Sequence, residues 1–233
     1  MAVIRLRSAV ALAGQYPLLA GLDLEVERGE VVFVRGANGA GKTSLLRVCA
    51  ALVPLAGGSG EVLGADLYGD LRPLRRRIGF LGHASGLYDD LSAEDNVRFQ
   101  VRAGRGRLPA AAEALNLLGL GGRLRSVPVG KLSAGQRRRT ALAGLVARDP
   151  ELWLLDEPHA GLDAEFRDLL DGLINAASAR GVTVVVASHE AERAAALARR
   201  TVTVAGGAVV DDALSHLPSD SPAPSGPGAA RVA

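Results

Sequence analysis

Residues 31–43 read VVFVRGANGAGKT. A short, fully apolar run with strand character ends at Arg35. A glycine-rich loop follows and leads into a helical pattern through about Leu52. Gly36–Thr43 is a full match to G-x-x-x-x-G-K-[ST], in the strand–loop–helix setting that gives this motif its meaning. Glycines let the backbone curl so that several N–H groups face one concavity, and the helix adds the positive end of its dipole. Strand, loop and helix must then be consecutive elements of an α/β layer around a phosphate-sized cradle. Gly36, Ala37, Asn38, Gly39, Ala40, Gly41, Lys42, Thr43 and Ser44 are the candidate phosphate-binding residues. Lys42 carries a full charge to the β- and γ-phosphates, and the Thr43 hydroxyl is a candidate ligand for Mg²⁺. The chain has 27 basic residues, and only Lys131 shares Lys42's side chain; the rest are arginines.

The remaining pattern supports the same fold class. Residues 3–12 and 18–27 alternate apolar and polar, as in two half-buried antiparallel strands. Segment 53–77 is mixed, with turns at Pro54, Gly57, Gly58 and Gly60 and a short strand near EVLG. IGFLG (78–82) reads as a buried strand. From Ser92 to about Arg148 three helices are expected. They cover AEDNVRFQVRA with Ser92 as N-cap, PAAAEALNLLG, and QRRRTALAGLVAR with Leu142, Leu145 and Val146 as its apolar stripe. Then come strand LWLL (152–155), a helix over about 163–179, strand VTVVVA (182–187), a helix over 190–199, and two small strands, TVTVAG and GAVVD. The order βα, helical insertion, βα, βα means α/β with a parallel sheet and a helical subdomain at about 90–148. The domain is expected over 1–212. Residues 213–233, rich in Pro, Ser, Gly and Ala, read as a disordered tail.

Three further stretches carry chemistry. LWLLDEP places Asp156 at the end of a buried strand, where it suits Mg²⁺, and Glu157 one residue on, within reach of an attacking water. His189 ends VVVASH at another strand's C-terminal edge, where ligands gather in parallel α/β sheets. LSAGQ, Leu132–Gln136, holds no general acid, base or metal ligand. Ser133 and Gly135 precede a helix expected to start near Gln136. A hydroxyl, a close backbone approach and a helix N-terminus make a second anion grip. The chain already holds one such grip elsewhere, so the second is expected to serve a nucleotide bound by another copy of the protein.

Composition narrows the class. Net charge is +2, which gives no argument for a nucleic-acid partner. Arg75–Arg77 and Arg137–Arg139 read as solvated helix faces, because no aromatic residues interleave them. The single cysteine, Cys49, excludes an intramolecular disulfide, suits a reducing compartment and is expected on the loop-following helix's apolar face. The first residues lack an apolar signal segment, and no stretch approaches the roughly 20 apolar residues of a membrane span.

With GANGAGKT, LSAGQ, LWLLDE, AGLD and His189 in this order, residues 1–210 resemble the ATP-binding cassette ATPases, the motor subunits of ABC transporters. The resemblance implies a RecA-like P-loop NTPase core with an antiparallel β subdomain and a helical signature subdomain. It implies ATP and Mg²⁺ as cofactors and a head-to-tail dimer in which Leu132, Ser133, Ala134, Gly135 and Gln136 of one copy close on the nucleotide of the other. Glu157 would be the general base or water-orienting group, His189 would support the γ-phosphate, and Asp163 would act across the interface. An integral membrane permease would be the partner, at the cytoplasmic face of the membrane.

Two positions depart from the family pattern. His83 stands where a glutamine is usual, and the adenine-stacking aromatic is missing near Ala13, leaving Tyr16 as the nearest candidate. FLGHASGLYDDLSAEDNVRF and LSAGQRRRTALA look like the ABC ATPase of cytochrome c maturation, the haem exporter ATP-binding subunit. An ABC exporter subunit for another cargo is the alternative. A soluble ABC ATPase would carry paired cassettes, coiled-coil insertions, zinc cysteines or basic extensions, which this chain lacks. A P-loop kinase would have no use for LSAGQ.

Overall fold

The structure, a computed structural model, describes residues 1–104, 107–190, 193 and 196–214. Two sheets organise it. One is antiparallel and four-stranded, in the order β2-β1-β4-β5, from β1 (Ala2–Ala13), β2 (Tyr16–Glu27), β4 (Gly57–Val62) and β5 (Ala65–Asp66). The other has the order β10-β9-β3-β8-β7-β6, from β3 (Val31–Arg35), β6 (Ile78–Leu81), β7 (Leu152–Asp156), β8 (Thr183–Ala187), β9 (Arg200–Ala205) and β10 (Ala208–Leu214). All its pairings are parallel except β9 with β10.

The buried strands β7 and β8 divide their side chains between two cores, as a period of two requires. Leu152, Leu154, Val185 and Ala187 face a cluster shared with α1 (Lys42–Cys49) and the antiparallel sheet. Trp153, Leu155, Val184 and Val186 face the opposite cluster, built with α3 (Ala93–Ala103), α4 (Pro109–Leu117), α5 (Ala134–Arg148) and α6 (Ala164–Ala179). A short α2 (Arg72–Arg77) precedes β6. Cys49 lies in the first core as expected, and burial pushes its thiol up to about 12.

Several boundaries move, each for a local reason. α1 stops at Cys49 because Ala51 turns to φ +57°, and the amides of Leu52 and Val53 fold back on the Arg47 carbonyl. Leu63 and Gly64 form a turn rather than strand, with φ of +51° and +78°. α5 starts at Ala134, two residues early, because Ser133 caps it, and Gly135 is therefore inside the first turn. Its buried surface is also wider than a stripe: Ala141, Leu142, Ala143, Gly144, Leu145 and Ala147 are all buried. β10 continues through Leu214, past the expected domain end, while the rest of the tail, 215–233, lies outside the described residues. The helix expected over 190–199 lies partly outside them; Arg193, Ala196 and Leu197 are helical.

In the Arg75–Arg77 run, Arg75 and Arg76 are exposed as expected, but Arg75 and Arg77 also bond neighbouring segments. Arg75 donates twice to the Ala51 carbonyl, and Arg77 pairs with Glu151 through two bonds of 2.6 and 3.0 Å while also donating to Leu63. That pairing holds the Glu151 carboxyl below its usual range. The arginines tie α2 to the neighbouring strand ends.

Gly79 in β6 lets α5 approach the sheet. A Cβ there would sit 2.1 Å from Leu145 Cδ1 and 2.7 Å from Pro150 Cγ. We expect Gly79→Ala to destabilise the fold by about 1–3 kcal/mol through overpacking. Gly172, exposed in α6 with nothing within 4 Å of an added methyl, should behave oppositely. There Gly172→Ala should stabilise by roughly 0.5–1 kcal/mol. Urea denaturation of both variants against the parent checks the two signs.

Candidate functional site

Register places the ends of four parallel strands at one edge. Val34 pairs with Ala187, Ala187 with Asp156, and Leu155 with Leu81. The residues that follow these ends are Gly36, Ser188 and His189, Glu157, and Gly82 and His83. This is where α/β sheets bind ligands.

The loop after β3 curls as its glycines allow. Gly36 lies at φ +154°, and a Cβ there would come within 2.2 Å of the Val204 carbonyl oxygen. Gly41 lies at φ +110°, pressed against the Leu18 carbonyl and Gly207, and caps α1 in the left-handed region. Lys42 crosses the loop, and its Nζ donates to the carbonyls of Gly36 (2.7 Å) and Ala37 (3.1 Å). Asn38, Gly39, Ala40, Gly41, Lys42, Thr43 and Ser44 line a cavity of about 370 Å³, joined there by Leu18, His83, Asp156 and Glu157.

Thr43 Oγ1 donates to Asp156 Oδ2 at 2.9 Å. A hydroxyl in the first turn of α1 and a buried carboxylate at the end of β7 lie side by side, oxygen donors of the kind that would suit Mg²⁺ alongside phosphate oxygens and water. The next residue, Glu157, sits at φ +47°, a left-handed conformation for a residue with a side chain. Such strain costs on the order of 1–3 kcal/mol and persists only where neighbours enforce it. Here the Glu157 amide donates to the Ala187 carbonyl at 2.8 Å. Its carboxylate Oε2 accepts from Ser188 Oγ (3.0 Å) and the His189 amide (3.4 Å), and lies 2.9 Å from His189 Nδ1. Glu157 and His189 are thus brought together directly.

The signature residues lie elsewhere. Ser133 Oγ accepts from the Gln136 amide (3.2 Å), and Gln136 Oε1 accepts from the Ser133 amide (2.9 Å), a reciprocal capping box. Leu132 is buried and anchors the turn, whereas Ser133 and Ala134 are exposed. None of Leu132–Gln136 lines the loop cavity. Gly135 meets the loop that carries Asp163: a Cβ on it would lie 3.1 Å from the Gly161 carbonyl oxygen. Asp163 itself is exposed and caps α6, accepting from the Phe166 amide at 3.1 Å.

Among the three arginines after LSAGQ, Arg138 contradicts the solvated reading: it is buried, whereas Arg137 and Arg139 are partly exposed. Successive helical residues point about 100° apart, so the three go separate ways. Arg137 donates to the carbonyls of Leu132 and Gly130, and the Arg139 guanidinium lies 4.0 Å over the Phe166 ring. Arg138 is buried and donates to the backbone of Gly82, Asp156, Glu157 and Pro158. Burial pulls its guanidinium down from its usual value, and the charges of Asp156 and Glu157 oppose that shift.

His83 is exposed and lines both the loop cavity and a neighbouring one of about 320 Å³, shared with Ala134, Arg138, Glu157 and Gly161. Tyr16 is 79% exposed at the β1–β2 turn and does not line the loop cavity; Leu18 takes that place. Sequence reasoning also missed Ser188, although it directly precedes His189 at a strand end. It missed His159, whose buried ring bonds Asp171 at 2.7 Å through Nε2 while Nδ1 has no partner; Arg193 holds the same carboxylate.

The sequence family described as ABC transporter matches residues 19–160. The cytochrome c biogenesis ATP-binding export protein CcmA of Bordetella bronchiseptica is 44% identical over 170 residues, covering 72% of this chain and 75% of that protein. The CcmA of Nitrosomonas europaea is 37% identical over 203 residues, covering 85% and 91%. Among solved structures, the dimeric bacterial ABC transporter cassette MJ0796 superposes with a TM-score of 0.84 at 26% identity, covering 91% of this chain and 99% of that one. A post-hydrolysis dimer of the same cassette, bound to ADP and Pi, gives 0.82 at 25% identity.

Replacing Lys42 by alanine removes the one lysine charge of the phosphate cradle. We expect Lys42→Ala to weaken nucleoside triphosphate binding by at least about tenfold, the worth of one charge-assisted hydrogen bond. Titration with a fluorescent ATP analogue measures it; unchanged affinity would remove Lys42 from the site.

Proposed function

The chain belongs to the ABC transporter family, and we propose that it is the ATP-hydrolysing subunit that energises a membrane complex of cytochrome c biogenesis. It binds ATP and is an ATPase. The observation that carries hydrolysis is the meeting, around one cavity, of the Lys42 loop, the Thr43–Asp156 pair and the Glu157 carboxylate. The assignment to cytochrome c biogenesis rests on the CcmA relatives.

Each residue has a role that its geometry supports. Lys42 and the loop amides take the charge of the β- and γ-phosphates. Thr43 and Asp156 would hold Mg²⁺, whose charge would neutralise the phosphate oxygens. The recorded bonds to the Glu157 carboxylate all reach Oε2. That leaves Oε1 to accept from the attacking water, while Ser188 and His189 keep the carboxylate's orientation. His189, 70% exposed beside Glu157, would be free to meet the γ-phosphate of a bound nucleotide. His83 contacts the nucleotide side of the same cavity, in the place of the family's usual glutamine.

The second anion grip belongs to a partner copy. Ser133 and Ala134 are exposed and away from this chain's own phosphate cradle, with Asp163 on the adjoining loop. A head-to-tail dimer brings them onto the other copy's γ-phosphate, where no acid or base is needed because the task is to hold charge. Binding closes the dimer; hydrolysis and release reopen it.

Among the described residues no helix is long and apolar enough to cross a membrane. Family membership supports peripheral action at the cytoplasmic face, through an integral membrane partner. Tyr88 and Phe99 support a docking face on the helical subdomain. They stack edge-on with centroids 5.3 Å apart, each about half exposed, with Leu91 nearby in sequence. Asn96 ties this segment to α3 by exchanging bonds with the Tyr88 backbone.

Two outcomes test the reading. Glu157→Gln should keep ATP binding, trap a dimer and lower phosphate release by about 10²–10⁴-fold, the usual worth of a general base. Normal turnover would exclude Glu157 from catalysis. Tagged Glu157→Gln, recovered from native membranes with ATP and Mg²⁺, should bring a polytopic protein and cytochrome c assembly partners, identified by mass spectrometry. A different permease would discard the cytochrome c assignment. Phe99→Asp should abolish that recovery and leave the isolated chain's ATPase rate unchanged.

A further inference from the structure

Arg138 stands where three elements meet. It leaves α5, the helix capped by Ser133, and is 8% exposed. Nη1 donates to the Gly82 carbonyl at 2.6 Å. Nη2 donates to Asp156 (2.9 Å) and Glu157 (2.7 Å), and Nε to Pro158 (3.4 Å). Four backbone carbonyls, three of them consecutive, take the place of a counter-ion. The carboxylates of Asp156 and Glu157 still act on it by charge, opposing the effect of its burial.

Burying a cation is costly unless its donors are all met, so this arrangement is rigid in both directions. The planar fork fixes the carbonyls, and the carbonyls fix the fork. Three successive carbonyls reach one guanidinium because the chain turns at Glu157, the residue held at φ +47°. Gly82, on the other side of the fork, precedes His83. One side chain of the signature helix thus holds both the backbone under Glu157 and the root of the His83 loop.

We infer that Arg138 is a positioning residue for hydrolysis: it ties the Glu157 turn to the signature helix, so that the carboxylate's position follows the helical subdomain. This rests on the reading of Glu157 as the hydrolytic carboxylate. Arg138 itself touches no nucleotide position, since it is absent from the lining of the phosphate cradle. It acts through the backbone it holds. Any shift of α5 relative to the sheet moves Glu157 and His83 together, which makes the rate of hydrolysis conditional on how the helical subdomain is seated.

The test compares Arg138→Ala and Arg138→Gln with the parent, measuring kcat and the Kd of an ATP analogue. Arg138 lines the cavity of about 320 Å³ beside Glu157, so a small cation can enter the space that alanine opens. We expect Arg138→Ala to lower kcat by about 10²-fold, the cost of misplacing a catalytic group by about 1 Å, with Kd changed less than about threefold. Arg138→Gln, which keeps amide donors, should fall between. Millimolar methylguanidinium should restore part of the Arg138→Ala turnover, and ethylammonium should not.

The inference is overturned by parental kcat in Arg138→Ala, or by kcat and ATP affinity falling together without rescue, which would make Arg138 a packing residue only. If Arg138→Ala does not fold, Arg138→Gln decides on the same split between kcat and Kd. Glu157→Gln runs in parallel. Should it hydrolyse ATP normally, the reading of Glu157 fails and takes this inference with it. If Glu157→Gln is inactive while Arg138→Ala is active, only the role of Arg138 is lost.

Discussion

Parallel pairing of β3, β8, β7 and β6 is the constraint on which everything else depends. Because these strands run the same way in a fixed register, their exits fall on one edge. A phosphate loop, a carboxylate pair and a histidine, far apart in sequence, become neighbours without any of them reaching. The register also explains the split core. The same alternation that aims Leu154 and Val185 at the antiparallel sheet aims Trp153 and Val186 at the helices. The sheet is thus the common wall of two cores, and the site sits at its rim.

The two halves meet through a shared side-chain core and, at the rim, through contacts that involve the backbone. Gly135 admits the Gly161 carbonyl, Gly79 admits α5, and Arg138 grips four carbonyls across the junction. Backbone contacts of this kind are directional. A local slip at Arg138 would leave buried carbonyls and a buried guanidinium without their partners, which is costly. The strained turn at Glu157 is kept in place from both sides, by Ala187 at the end of β8 and Ser188 just after it, and by Arg138 on α5.

What was legible in the sequence is what is local. The phosphate loop is one uninterrupted stretch, and Asp156 and Glu157 follow an apolar strand directly, so their places follow from strand geometry. The early start of α5 was also legible, since Ser133-x-x-Gln136 has the spacing of a capping box. Arg138 was not. Three adjacent arginines look alike as letters, and only the packing of α5 against the sheet decides which one turns inward. His159 was hidden for the same reason, its partner Asp171 lying on the next helix. Tyr16 is the aromatic nearest to Ala13, where the resemblance places an adenine-stacking group, but the chain brings Leu18 to the cradle and leaves Tyr16 in solvent.

Cys49 shows what deep burial does to a reactive atom. Its thiol is held protonated far above neutral pH, and it lies beneath the antiparallel sheet. Alkylating reagents attack the thiolate, so the native chain should present no reactive thiol at its surface. It is in effect a ready-made blank for labelling. A cysteine introduced at Ser133 or at Asp163, both exposed, would be the only addressable thiol, and a spin label or cross-linker there would report on one position alone.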